Sequence, residues 1–260
     1  MTQSPEIQTG DVLWTPSAEQ IAPSRMAAYL RWLDVNQGLQ FDNYQALWQW
    51  SVDELEAFWQ SVWDFFDVQA AGPCDPVLGS REMPGANWYP HTRLNYAEHV
   101  FRNATLSRPA LVVRSEGEPV HEVSWADLQR STGALAAKLR ALGVGPGDRV
   151  ASYMPNRPET VIAFLACASL GAIWSSCSPD MGATVVLDRF RQIEPKVLFA
   201  VDSYNYNGKS HDRTAMVEEL VRHLPSLQKV VHVPGPARSL SGLTSTPPTW
   251  GASVSWGKMT

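Results

Sequence analysis

Between Gly147 and Asp180 the apolar positions change period twice. Asp148 to Met154 is a short apolar run bounded by Gly147 and Pro155, the pattern of a buried strand. Asn156 is placed to cap a helix, Pro158 suits its first turn, and Glu159 complements the positive end of the helix dipole. Val161, Ile162, Leu165 and Ala168 then recur at helical spacing, and Gly171 suits a left-handed stop. Ile173 to Ser178 is a second strand. Strand, helix and strand within so short a stretch predict a βαβ unit with parallel strands and a right-handed crossover.

The same alternation continues on both sides. Ala110–Arg114 and Val120–Val123 predict a hairpin, and Ser124 caps a helix to Leu142 with Leu128, Leu135, Ala136 and Leu139 inward. Helix, strand, helix and strand follow at Thr184–Ile193, Lys196–Asp202, Asp212–Leu224 and Lys229–Val233. This order predicts an α/β fold: a mostly parallel sheet over residues 106–233 with helices on both faces.

Residues 1–105 have another character, an N-terminal arm and a helical cap region. Pro5, Pro16 and Pro23 predict an extended arm over residues 1–23, after which Ser24 caps a helix to about Asn36 that Gly38 ends. A short helix over 43–50 follows, and Ser51 and Glu54 have the spacing of a capping box. Behind them Leu55, Phe58, Trp59, Val62, Trp63 and Phe66 form one broad stripe, expected to be buried on the sheet domain. Residues 71–90, with four prolines and three glycines, predict a long loop leading to a helix that ends near Asn103. Six of the eleven tryptophans lie in the first 63 residues, as packing surface.

Composition changes after Val233. Residues 234–260 hold four prolines, nine serines or threonines and no acidic residue, which predicts a disordered tail or linker. For the whole chain of 260 residues, a net charge of −5 gives no electrostatic reason to expect nucleic acid or an anionic membrane as partner. Cys74, Cys167 and Cys177 lack metal-ligand spacing, and free thiols point to a reducing, cytoplasmic compartment. No apolar run is long enough to span a bilayer.

Few motifs carry chemistry. Gly143-Val144-Gly145-Pro146-Gly147 enters a strand instead of leaving one, so it is a turn and not a phosphate cradle. Tyr206-Asn207-Gly208-Lys209 follows a strand and precedes a helix, at the carboxyl edge where α/β sheets bind ligands. Lys209 is there either a phosphate contact or a solvated loop lysine. Ser178-Pro179-Asp180 lies along the same edge, with Asp180 either a helix cap or a ligand contact. The six histidines show no paired spacing and no clear partner, and no G-x-S-x-G is present. No G-x-G-x-x-G leaves a strand for a helix, against a dinucleotide oxidoreductase.

Six stretches together resemble the large domain of acyl-CoA synthetases in the adenylate-forming superfamily, and within it the acetoacetate–CoA ligases. They are Val12–Leu33, Asn87–Asn103, Val123–Leu128, Leu142–Glu159, Ser169–Asp180 (SLGAIWSSCSPD) and Leu187–Arg213 (LDRFRQIEPKVLFAVDSYNYNGKSHDR). The last two separate these ligases from acetyl-CoA synthetases. The resemblance implies a reaction in which acetoacetate and ATP, with Mg²⁺, form an acyl-adenylate and coenzyme A then takes the acyl group. It also implies contacts to the 3′-phosphate ADP part of coenzyme A from two loops, at Ser178 and Asp180 and at Tyr206, Gly208 and Lys209. The second loop has the form Arg-x-Gly-Arg in acetyl-CoA synthetases; here Gly208 matches, Lys209 keeps the charge and Tyr206 replaces the first arginine. The Phe-Gly-Gly of the first loop is not retained. The family's lysine-bearing phosphate loop, ribose-binding aspartate and catalytic lysine have no counterpart in these 260 residues. The expectation is therefore an N-terminal fragment, inactive alone. The alternatives are a free-standing module for coenzyme A or a nucleotide, and a fragment of a related short-chain acyl-CoA synthetase.

Overall fold

The computed structural model describes residues 8–235 and the backbone of residues 255–258. The chain divides into two compact units, one ending at Leu94 and the other beginning at Asn95.

The first unit holds α1 (Ala18–Ile21), α2 (Arg25–Gln37), α3 (Tyr44–Asp53), α4 (Leu55–Phe65), β1 (Leu78–Ser80) and β2 (Asn87–Trp88). Ser24 caps α2 and Gly38 ends it in the left-handed region, as the pattern predicts. The expected extended arm is interrupted by α1, where Ser17 and Gln20 form a true capping box. The expected box at Ser51 and Glu54 does not form. The Ser51 hydroxyl donates instead to the Trp48 carbonyl, α3 runs on to Asp53, and Glu54 opens α4 without a side-chain cap. The expected long loop contains the β1–β2 pair.

Part of the aromatic stripe of α4 packs within its own unit. Phe58, Val62 and Phe65 pack around buried Tyr29, Leu33 and Leu47. On the flank Trp59 meets the Trp88 ring at 5.7 Å and Trp63 meets Tyr89 at 4.5 Å.

The second unit begins with α5 (Tyr96–Phe101), the hairpin β3 (Leu111–Val113) and β4 (His121–Val123), and α6 (Trp125–Ala141). Then come β5 (Arg149–Tyr153), α7 (Pro158–Ser169), β6 (Ile173–Cys177), α8 (Ala183–Ile193) and β7 (Val197–Val201). A second hairpin, β8 (Ser203–Tyr206) and β9 (Lys209–Asp212), precedes α9 (Thr214–His223), β10 (Lys229–Val233) and β11 (Ser255–Lys258).

The main sheet runs β11-β10-β7-β5-β6, with β10, β7, β5 and β6 mutually parallel and β11 antiparallel on β10. The expected α/β class and the parallel β5–α7–β6 unit are both present. Alternate residues of each strand serve opposite faces. Val150, Val197, Phe199 and Val201 face a core shared with α6 and α7, while Ala151, Tyr153, Leu198 and Ala200 face one shared with α8 and α9. All five residues of β7 are buried, which is why Val-Leu-Phe-Ala-Val reads as an unbroken apolar run. The tail expected over 234–260 lies mostly outside the described residues; Ser255–Lys258 form β11.

Local chemistry accounts for the helix ends. Ser124 caps α6, Pro158 stands in the first turn of α7, and Gly171 takes φ 69° beyond its end. The expected Asn156 cap is displaced by one residue to Arg157, which gives no side-chain cap bond. Its guanidinium is engaged elsewhere, as described below.

Candidate functional site

Because β5 leads to β6 on one side and β7 leads to β10 on the other, the strand connections diverge between β5 and β7. Ligands of doubly wound sheets settle outside the carboxyl ends at such a point. Here the polar groups of that crevice are spent on the chain itself. Arg157 grips Glu159 with two parallel bonds, at 2.6 and 2.9 Å, and donates a third at 2.7 Å to the Pro234 carbonyl. Asp202, at the end of β7, accepts from the Gly235 amide at 2.8 Å and from Ser203 at 3.0 Å. His232 stands 3.3 Å from the same carboxylate, so one of the histidines without a visible partner in the sequence has one. A Cβ on Gly235 would collide with Ser203 and with Asp202.

The rim beside this crevice carries the residues singled out from the sequence. Ser178, Pro179 and Asp180 leave β6, with Pro179 buried and the other two exposed. The Ser178 hydroxyl and the backbone amide of Asp180 hold that carboxyl below its ordinary range. Asp180 does not cap α8; Gly182 takes that position. The loop is held from beneath by two side chains absent from the sequence-based site. The Tyr153 hydroxyl donates to the Pro179 carbonyl at 2.7 Å, and Arg213 Nε donates to the same oxygen at 2.6 Å. Burial pushes the Tyr153 hydroxyl up to about 12, so it remains a donor at any physiological pH.

Arg213 also ties in the second candidate loop. Its Nη2 donates to the Tyr204 hydroxyl at 3.0 Å and its guanidinium carbon lies 5.0 Å from the centre of that ring. His211 stacks on Tyr204 with ring centres 5.1 Å apart. The expected loop Tyr206-Asn207-Gly208-Lys209 is therefore not a strand-to-helix connection. It is the tip of the β8–β9 hairpin, closed by Tyr206 opposite Lys209, with Asn207 and Gly208 both at positive φ. An Asn-Gly pair in that conformation is the preferred two-residue hairpin turn, and it was the signal available in the sequence. Tyr206, Gly208 and Lys209 are exposed. Arg213 thus links the first predicted loop to Tyr204 of the hairpin that carries the second, while Tyr153 holds the first loop alone.

The turn Gly143–Gly147 behaves as expected: Asp148 accepts from the Gly145 amide, and Lys196 bonds Asp148 and the Gly143 carbonyl. Among the described residues no group of three or more histidine, cysteine, aspartate or glutamate side chains is placed to hold a metal ion. No helix among them is long and apolar enough to cross a membrane.

Comparison with known proteins gives this rim a context. The model of the AMP-binding enzymes matches residues 98–249, more than half of the chain. The chain belongs to the AMP-binding enzyme family. A second model, acetyl-coenzyme A synthetase N-terminus, matches residues 44–100. Acetoacetyl-CoA synthetase of Xenopus tropicalis is 40% identical over 234 residues, 88% of this chain and 34% of that protein. Acetoacetyl-coenzyme A synthetase of Rhizobium meliloti (strain 1021) is 40% identical over 229 residues, 88% of this chain and 35% of its own. A malonamoyl-CoA synthetase of Penicillium aethiopicum is 34% identical over 253 residues, 94% of this chain and 35% of its own. Among solved structures, acetoacetyl-CoA synthetase from Streptomyces lividans superposes with a TM-score of 0.81 at 48% identity, covering 90% of this chain and 36% of that one. The chain spans about a third of the length of the curated relatives it matches. As an AMP-binding family member it has the sheet of an adenylate-forming enzyme, which bears out the fold resemblance seen in SLGAIWSSCSPD and the stretch after it.

Proposed function

We propose that this chain forms the first part of the carboxylate-activating domain of an acetoacetate–CoA ligase, and that its rim contributes to seating coenzyme A. The observation that carries the reading is the union, by Arg213, of the Ser178–Asp180 loop with the β8–β9 hairpin. In this reading acetoacetate and ATP give an acyl-adenylate and pyrophosphate, and the thiol of coenzyme A then displaces AMP. Lys209 offers the exposed cation for a phosphate of the coenzyme. Asp180 is a carboxylate with its own donors, so it suits a hydroxyl or amine of the ligand and repels a phosphate. The acidic loop and the basic hairpin would thus meet different ends of the same adenosine phosphate.

Among the described residues no group of three or more histidine, cysteine, aspartate or glutamate side chains is placed to hold Mg²⁺. Stabilising charge at the α-phosphate requires cations that these residues do not present together. These 260 residues alone are therefore expected to give no acetoacetate- and ATP-dependent thioester above a no-enzyme control. Their affinity for coenzyme A should also be slight, since one or two charge-assisted bonds give about 1.5–3 kcal/mol each and micromolar binding needs about 8 kcal/mol. The positive test is a chimera in which residues 8–235 replace the matching part of the Streptomyces lividans enzyme. It should form acetoacetyl-CoA, with KM for coenzyme A raised by Lys209→Ala. A folded chimera that adenylates acetoacetate but whose KM for coenzyme A ignores Lys209 would remove the rim from the site. A free-standing coenzyme A module is the rival; micromolar calorimetric binding to this chain, lost in Lys209→Ala, would favour it. Cytoplasmic residence is part of the proposal, consistent with its free thiols.

A further inference from the structure

A two-residue hairpin leaves two amides unused. The β8–β9 ladder is closed by Tyr206 and Lys209, so the N–H groups of Asn207 and Gly208 have no place in it. Both are nevertheless taken, and by one side chain. Glu116, in the loop between β3 and β4, accepts from the Asn207 amide with one carboxylate oxygen at 2.9 Å and from the Gly208 amide with the other at 2.8 Å. Two adjacent backbone donors on two oxygens of a single anion is the geometry by which backbone nests hold phosphate or carboxylate. The two amides also hold the Glu116 carboxyl below its ordinary range, so it sits there as an anion at neutral pH.

Among the described residues no other hydrogen bond or ion pair holds the Glu116 side chain. It is fully exposed, and a solvated carboxylate held by two surface bonds is easily replaced. A phosphate monoester presents the same pair of oxygens with a charge of about −1.5 to −2, against −1 for a carboxylate. It would also gain from exposed Lys209, the next residue in the chain.

We propose that Glu116 is an internal competitor for an anion seat at the hairpin tip, occupying the Asn207 and Gly208 amides until a phosphate monoester displaces it. The choice of a monoester of the coenzyme A class rests on the function proposed above, whereas the seat and its occupant stand on the hydrogen bonds alone.

The test is a titration of the ¹⁵N-labelled 260-residue chain, followed at the Asn207 and Gly208 amides, with inorganic phosphate and with adenosine 3′,5′-bisphosphate. Wild type, Glu116→Gln and Glu116→Ala are compared; all keep the β3–β4 ladder, since Glu116 lies outside it. Glu116→Ala should bind the bisphosphate about tenfold tighter than wild type, a difference of about 1.4 kcal/mol, with Glu116→Gln in between. The ligand should return the two amide resonances towards their wild-type positions. A gain for inorganic phosphate but not for the bisphosphate would uphold the competitor and count against the coenzyme reading. Equal bisphosphate affinity in all three chains would overturn the competitor and leave the coenzyme reading standing. Shifted amides in Glu116→Ala with no gain for either anion would make Glu116 a strut between two hairpins, and would also overturn it.

Discussion

Tyr153 and Arg213 share one acceptor, the carbonyl of Pro179, which they approach at 2.7 and 2.6 Å from the end of β5 and from the start of α9. Either donor satisfies that buried oxygen when the other is removed; losing both leaves it bare. Tyr153→Phe alone should therefore cost about 1 kcal/mol. Tyr153→Phe with Arg213→Ala should cost more than the sum of the single changes, by about 1 kcal/mol. Urea unfolding of the four chains measures the coupling, and strictly additive losses would mean that the two residues act separately.

The Arg157–Glu159 pair makes a different prediction. Glu159 is buried, and its carboxylate depends on one guanidinium. Arg157→Ala strands that charge and should destabilise by about 3 kcal/mol, the low end for breaking a buried pair because Arg157 keeps some contact with solvent. Replacing both with apolar residues, Arg157→Met and Glu159→Leu, should recover much of the loss. A double variant as unstable as Arg157→Ala would mean that the bond to the Pro234 carbonyl, not the stranded charge, dominates.

Acid sensitivity follows from Asp148. The Gly145 amide first, and the Lys196 ammonium after it, hold its carboxyl below the ordinary range. A carboxyl whose folded value is depressed stabilises the fold fully above its unfolded value, about 3.9, and loses that contribution as pH falls through the lower folded value. Asp148→Asn should therefore lower stability at neutral pH and flatten the fall in unfolding midpoint below about pH 4. An unchanged acid slope in Asp148→Asn would place the sensitivity elsewhere.

Thiol reactivity should separate the three cysteines. Burial pushes the Cys167 thiol up to about 12 and raises Cys177 as well, whereas Cys74 is partly exposed. Iodoacetamide at mildly alkaline pH should modify Cys74 first in the folded chain and all three in denaturant. Early alkylation of Cys167, read by peptide mass spectrometry, would show that α7 opens.

What was legible in the sequence was local. Ser24 and Ser124 announced their helices, Gly38 and Gly171 their stops, and the period change around Pro155 the β5–α7–β6 unit, because each signal acts within a turn of its own position. Ser51 misled because its hydroxyl donates back to the Trp48 carbonyl inside α3 instead of accepting from the amide it was expected to cap. The β8–β9 hairpin was hidden by its composition: Ser-Tyr-Asn-Tyr and Lys-Ser-His-Asp lack the aliphatic β-branched residues that mark strands, and only Asn-Gly betrayed the turn. Of the rim, the exposed loop residues could be named in advance. Tyr153 and Arg213 could not, since the oxygen they share lies 26 and 34 positions away on another element. The placing of β7 beside β5, and not beside β6, has the same cause: it is decided by the completed sheet.

The hairpin tip also has a bearing on how this protein ages. An Asn-Gly step deamidates when the glycine nitrogen attacks the asparagine side-chain carbonyl and closes a succinimide ring. In this chain that nitrogen is already bonded to a Glu116 oxygen, and its residue is fixed in a left-handed turn. The attacking atom is thus held by a surface carboxylate from a distant loop. Stored protein should keep Asn207 intact while the contact lasts, and Glu116→Ala should deamidate there first. An anion that displaces Glu116 and takes over its bonds would then also act as a preservative.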